Sequence, residues 1–332
     1  MAKKSLIFAA VSVVAALGLT GCAGGASEAA APIEESTSEV VSLNVGITPT
    51  GVSTSQIAAL EEGYYEAHGL DVTHKVQTNL AEAMPLLLSG DLDFVYADTH
   101  AAIAARAEGM PIQIAVPVVV APESVAEGEK GTMNFIVKED SPIQSMSDFE
   151  GKVLAVAALG GQAHLDTLTV LEREGLDVDS VEFITILPPQ METAIRQGQA
   201  DVAGIVEPRG TAALENGGIR MIGTTDDALP GAPMFVLIGL QESLEKNPEV
   251  LERFEAAMFE SAAAVNADRS LADKTMTGFM DMPADLIAKT AVPKFGTERL
   301  TAADLSPVID RLVKMGTLTE DQRSVGVEVL AG

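Results

Sequence analysis

Asp98, Thr99 and His100 follow one another directly after the apolar run Phe94 to Ala97. A carboxylate, a hydroxyl and an imidazole leaving a strand together can bind a polar ligand. Asp98 or Thr99 can equally cap the helix that the following Ala101 to Ala107 predicts. Glu207 stands in the same way after the run Val202 to Val206, with Arg209 close enough to be an ion-pair partner instead. Two loops accompany these acids. The segment from Thr48 to Ser55 is dense in hydroxyls, and Thr48, Thr50, Gly51 and Ser53 put side-chain and amide donors at a helix start. Such donors suit an anionic or strongly polar group, although plain helix capping would use one of them. In the second loop, Gly160, Gly161 and Gln162, two glycines before a helix let a ligand approach the backbone closely. It lacks the spacing and the lysine of a Walker phosphate loop. If the two strand ends face each other, Asp98 and Glu207 could clasp an ammonium, an amidine-like ring or other hydrogen-bond donors. Each charged hydrogen bond would contribute roughly 1.5 to 3 kcal/mol.

Other chemistries are poorly supported. The four histidines, His68, His74, His100 and His164, show no paired metal-ligand spacing. Cys22 is the only cysteine, so no internal disulfide can form, and no thiol remains for catalysis if that sulfur is modified. The residues therefore nominate no catalytic group, no metal site and no cofactor. With 48 acids against 21 lysines and arginines, the formal net charge of −27 argues against nucleic acid, whose phosphates need a basic surface. The same charge suits solubility or high salt and identifies no ligand.

The elements that must position these groups are written twice. Gly69-Leu70-Asp71-Val72 and Gly175-Leu176-Asp177-Val178 each follow a helical stretch and lead into an apolar run of strand length. A second helix then ends in Gly90-Asp91-Leu92-Asp93 in one copy and in Gly198-Gln199-Ala200-Asp201 in the other. Glycine at each helix end supplies the left-handed backbone of a C-terminal cap. Strands alternating with helices predict parallel sheets covered on both faces. In such sheets ligands lie beyond the carboxyl ends of the strands, which is where Asp98 and Glu207 stand.

Between and after the copies the reading is coarser. Ile57, Leu60 and Tyr64 predict the buried stripe of a first helix, and Pro85 predicts a kink in the next helix or a start delayed to near Pro85. Met133 to Val137 reads as a strand crossing into the second half, and Met234 to Gly239 as one returning. From Asn247 onward the text is helical and shows no concentration of chemical groups, so packing is its expected role.

At the N-terminus, Lys3 and Lys4 precede the apolar stretch Leu6 to Leu19, as in a secretory signal over residues 1–21. Leu19-Thr20-Gly21-Cys22 resembles the lipobox of bacterial lipoproteins, and that likeness implies lipidation of Cys22, a lasting membrane anchor and an extracytoplasmic location. Residues 22–41 read as a flexible tether.

Taken together, Gly63-Tyr64-Tyr65-Glu66-Ala67-His68-Gly69-Leu70-Asp71-Val72, Leu88-Ser89-Gly90-Asp91-Leu92-Asp93, Asp148-Phe149-Glu150-Gly151-Lys152, Gly198-Gln199-Ala200-Asp201 and Glu207-Pro208 carry a resemblance. In that order they resemble the nitrate, sulfonate, taurine and thiamine-pyrimidine group of ABC-importer solute-binding proteins, the NMT1/THI5-like family. The resemblance implies an α/β type II periplasmic-binding-protein fold, with two Rossmann-like lobes joined by a two-strand hinge. Lobe one would hold residues 42–132 and 234–332, and lobe two residues 133–233. It further implies a monomer that captures a small polar ligand by lobe closure and delivers it to an ABC permease and its ATPase. The cleft would be lined by Thr48, Thr50, Gly51, Ser53, Asp98, Thr99, Gly160, Gly161, Gln162 and Glu207. Tryptophan is absent, and the first two cleft loops carry no lysine or arginine, so a purely anionic cargo fits less well than a zwitterion or an aminopyrimidine. An enzyme on the same fold, of the pyrimidine-precursor synthase or desulfinase type, would need a free cysteine. A lipid-anchored adhesin would need no closing cleft.

Overall fold

A computed structural model describes residues 39–77, 79–126 and 128–331. The expected signal segment and Cys22 lie outside them, and the first strand already begins at Val41, the last residue assigned to the tether. In chain order, β1 (Val41–Ile47) leads to α1 (Thr54–Glu61), α2 (Tyr64–Ala67), β2 (Leu70–Val76), α3 (Leu80–Ser89), β3 (Phe94–Asp98), α4 (Thr99–Ala107) and β4 (Ile112–Val120). The chain then crosses into β5 (Met133–Lys138), β6 (Val153–Val156), α5 (Gln162–Arg173), β7 (Glu182–Thr185), α6 (Pro188–Gln197), β8 (Val202–Val206), α7 (Arg209–Glu215) and β9 (Ile219–Thr224). It returns through β10 (Pro233–Leu240) to a helical tail: α8 (Gln241–Lys246), α9 (Pro248–Ala267), α10 (Arg269–Phe279), α11 (Ala284–Ile287), α12 (Ala302–Lys314) and α13 (Arg323–Glu328).

The strands form two five-stranded sheets of the same plan, ordered β2-β1-β3-β10-β4 and β7-β6-β8-β5-β9. In each, one strand received from the other half of the chain runs antiparallel to its neighbours: β10 beside β3 and β4, and β5 beside β8 and β9. The repeated text now has a physical reason. Gly69, Gly90, Gly175 and Gly198 all take positive φ, between 68° and 79°, and Gly90 and Gly198 cap α3 and α6. The aspartate that closes each copy staples its sheet. Asp93 accepts from the Asn44 amide at 2.7 Å and returns its own amide to the Asn44 carbonyl at 2.9 Å. Asp201 and Val153 repeat both bonds, at 2.9 and 2.8 Å.

Two local expectations are corrected. The first helix breaks at Gly63, which has φ 79°, so Ile57 is buried while Leu60 is exposed and does not join a continuous stripe. The helix carrying Pro85 starts at Leu80 rather than near the proline, because the Asn79 side chain caps it by accepting from the Glu82 amide at 2.9 Å. The tail packs on the first sheet, where Phe254 of α9 stacks on Phe94 of β3 with ring centroids 4.2 Å apart. Burying such an aromatic contributes about 2 kcal/mol. Leu165 and Leu168 of α5, a helix of the second sheet, lie in the same apolar cluster as Leu305, Val308 and Leu312 of α12. Among the described residues no helix is long and apolar enough to cross a membrane.

Candidate functional site

The carboxyl ends of the two sheets meet at two places. At the first, the loop after β1 reaches the end of β8: the Gly51 amide donates to the Glu207 carbonyl at 3.3 Å. A β-carbon built on Gly51 would stand 3.6 Å from that oxygen, an ordinary contact distance, so the two loops pack without a gap there. Thr48 and Ser53 shape the loop, the Thr48 amide donating to Ser53 Oγ at 3.1 Å. Ser53 is thus consumed in holding its own turn. The hydroxyls of Thr50 and Ser55 are buried without a partner.

Glu207 is only 1% exposed, and its side chain is committed within its own half of the chain. Asn134 of β5 donates to Oε1 at 2.9 Å, the Thr211 hydroxyl donates to Oε1 at 3.0 Å, and the Thr211 amide donates to Oε2 at 3.1 Å. Burial raises this carboxyl, and the bonds from Thr211 pull it back. Its partners are neither Arg209 nor a residue of the first sheet. Across the sheets, the contact Glu207 makes with Gly51 is through its main-chain carbonyl.

At the second place, the end of β3 meets the start of α5. Asp98 is the cap of α4, accepting from the Ala101 amide at 2.8 Å. Burial pushes its carboxyl up to about 6, against the lowering effect of the Ala101 and Gln162 amides. A β-carbon on Gly161 would lie 3.5 Å from Asp98 Oδ2, which places the glycine loop directly against this acid. His100, 1% exposed, lies with Nδ1 at 3.1 Å from Gln162 Oε1, and Gln162 Nε2 donates to Asp166 Oδ2 at 2.5 Å. Thr99 is fully buried, its hydroxyl without a partner. Gly160 takes φ 77° and is exposed, its amide donating to His164 Nδ1 at 3.0 Å.

The ten nominated residues therefore gather into two groups. Thr48, Thr50, Gly51 and Ser53 lie with Glu207, while Asp98, Thr99, Gly161 and Gln162 lie together, with Gly160 at the exposed edge of the second group. Three residues outside the nomination join the second group. His100 is held below its ordinary range, at about 4, chiefly by burial and also by Arg311. Asp166 is 2% exposed and raised well above the carboxylate range, chiefly by burial and also by Asp226 and Asp98. Asp226 is raised by burial, while its oxygens accept from the amides of Thr132 and Met133 at 2.5 and 2.9 Å. Asp166 was findable, since it follows Gln162 by four residues and shares its helix face. Arg311 was not, because it comes from a tail expected only to pack. Its guanidinium is 4% exposed and donates to Glu172 of α5 at 2.6 Å.

Paired α/β sheets meeting at their carboxyl ends define the two-lobed periplasmic-binding-protein class, and solved structures agree. The periplasmic aliphatic sulphonate binding protein of Escherichia coli superposes with a TM-score of 0.71 over 88% of this chain and 99% of its own, at 21% identity. Residues 51–270 match the family model described as NMT1/THI5 like, and the chain belongs to that family. A relative in Brucella abortus strain 2308, whose name goes no further than binding protein, is 27% identical over 213 residues, 64% of this chain and 62% of its own. The formylaminopyrimidine-binding protein of Halalkalibacterium halodurans is 26% identical over 220 residues, 65% of this chain and 63% of its own. The chain thus spans just under two-thirds of the length of these curated relatives.

Proposed function

We propose that this protein is the extracytoplasmic solute-binding component of an ABC importer, capturing a small polar organic solute between its lobes without altering it. The cargo class is sulfonate or taurine-like, or aminopyrimidine-like. The observation that carries this reading is the double meeting of sheet ends, Gly51 with Glu207 and Asp98 with Gly161, in a chain whose relatives are named for binding. A cleft between two sheets can close over a solute, bury it and reopen at a permease. In this reading lobe one comprises residues 42–132 and 234–332, lobe two residues 133–233, and Cys22 carries the lipid that holds a monomer at the outer face of the membrane. The loop at Thr48, Thr50, Gly51 and Ser53, the strand end at Asp98 and Thr99, the loop Gly160 to Gln162 and the Glu207 region line the cleft.

The enzyme alternative is disfavoured by chemistry, because Cys22 is the only cysteine and is assigned to the anchor. Calorimetric titration of the purified mature protein with taurine, alkanesulfonates, aminopyrimidines and nitrate tests the reading. Saturable heat with an organic member and no turnover supports it. Conversion of the ligand, or no binding across the panel, rejects it.

A further inference from the structure

The second meeting place holds a cavity of about 10 Å³, lined by His100, Gln162, Asp166 and Asp226 together with apolar residues including Ala121 and Met234. That is room for a single water-sized group. Two of its polar walls are incomplete: His100 Nε2 and Asp166 Oδ1 are buried and have no hydrogen-bond partner. Gln162 decides what each atom presents. Its Nε2 donates to Asp166 at 2.5 Å, so its Oε1, 3.1 Å from His100 Nδ1, accepts from that ring nitrogen. The proton is thereby fixed on Nδ1, and Nε2 is left with a lone pair. Asp166 Oδ1 is likewise an acceptor when the carboxylate is ionised. Nearby, Asp226 spends its oxygens on Thr132 and Met133. Arg311 does not line the cavity; its Nη1 meets Glu172 at 2.6 Å, while its Nε and Nη2 are buried without a partner.

The geometry points to a seat for one N–H donor group of the cargo, an ammonium or a ring-bound amino group, held between His100 Nε2 and Asp166 Oδ1. This inference rests on the solute-capture reading and assigns the class of group that the cleft selects. Burial holds the Asp166 carboxyl well above its ordinary range, and an ammonium seated against it would favour the ionised form and bring donors to both open acceptors. A sulfonate or nitrate oxygen brings only an acceptor toward the His100 Nε2 lone pair, which would stay unpaired, and a buried polar group left unpaired is costly. A sulfonate-bearing cargo would therefore be read here through its amino end. Gln162 is a positioning residue, since it touches the cargo only through the atoms it orients.

Matched pairs differing in the amino group test the seat: taurine against ethanesulfonate, and 4-aminopyrimidine against pyrimidine, titrated calorimetrically into the full mature protein with scattering to follow compaction. In at least one pair the amino member should bind roughly 10- to 100-fold more tightly, the range one charged hydrogen bond supplies. His100→Phe and Asp166→Asn should each shrink that ratio to less than about threefold. The wild-type ratio decides the matter even if a variant folds poorly. Equal affinity within both pairs, or compaction with ethanesulfonate or nitrate alone, overturns the seat and leaves capture standing, the cavity then holding only water. No compaction with any probe overturns capture and the seat together.

Discussion

Arg311 on α12 of the helical tail donates from Nη1 to Glu172 on α5 at 2.6 Å, and Lys314 reaches the same carboxylate oxygen at 2.6 Å. The pair ties the helical tail, packed on the first sheet, to the first helix of the second. Leu165 and Leu168 of α5 join the α12 side chains in one apolar cluster beside it. The helix that opens the glycine loop is thus gripped from behind as well as at the cleft. Glu172→Gln should leave the buried Arg311 charge without its counter-ion and lower the free energy of unfolding by on the order of 2 kcal/mol. Urea denaturation of the variant and the parent measures this, and an unchanged midpoint would show that the tie contributes nothing. Apparent ligand affinity should fall as well, because fewer molecules populate the closed form.

Glu207→Ala should destabilise rather than simply weaken binding. Removing the carboxylate strands one N–H of the Asn134 side chain, whose other N–H keeps its bond to the Gly131 carbonyl, and the Thr211 amide and hydroxyl, which donate to it at 2.9 to 3.1 Å. A buried donor left without an acceptor costs about 1 to 3 kcal/mol. Glu207→Gln keeps acceptor capacity on one side and should recover part of the loss in the same denaturation assay. Sequence reasoning expected this acid to reach the ligand freely, whereas its side chain is occupied in its own half of the chain.

Asp98 should make stability depend on pH in an unusual direction. Its carboxyl is raised from the ordinary 3.8 to about 6 by burial, so the folded chain holds this proton where the unfolded chain has released it. The stabilising contribution is therefore complete below about pH 4 and is lost as pH rises through 6. Asp98→Asn removes the titration while keeping a side chain able to cap α4. Measured against that variant, the parent should lose on the order of 2 kcal/mol between pH 4 and pH 7. A constant difference across that range would refute the raised carboxyl.

The fold was legible because its punctuation is chemical. Glycines at Gly69, Gly90, Gly175 and Gly198 mark backbone turns that only a left-handed conformation makes easily, and four of them in matched order reveal two sheets of one plan. The strand-end acids and the two loops were singled out for a similar reason, since ligands of parallel sheets lie beyond the carboxyl ends of the strands. Other features depend on tertiary packing that no local pattern carries. His100 enters the site because α5 lies against α4, and Arg311 because a tail helix more than 130 residues downstream of α5 folds back on it. The fate of Glu207 was hidden in the same way, since its partner Asn134 stands 73 residues earlier on a strand of the same sheet.

Closure of two lobes over a small solute changes the overall dimensions of the molecule, and small-angle scattering of the purified mature protein reads that change. Saturating taurine or 4-aminopyrimidine should reduce the radius of gyration toward the value calculated for the arrangement in which Gly51 meets Glu207. A ligand that binds with saturable heat while the scattering profile stays unchanged would contradict it.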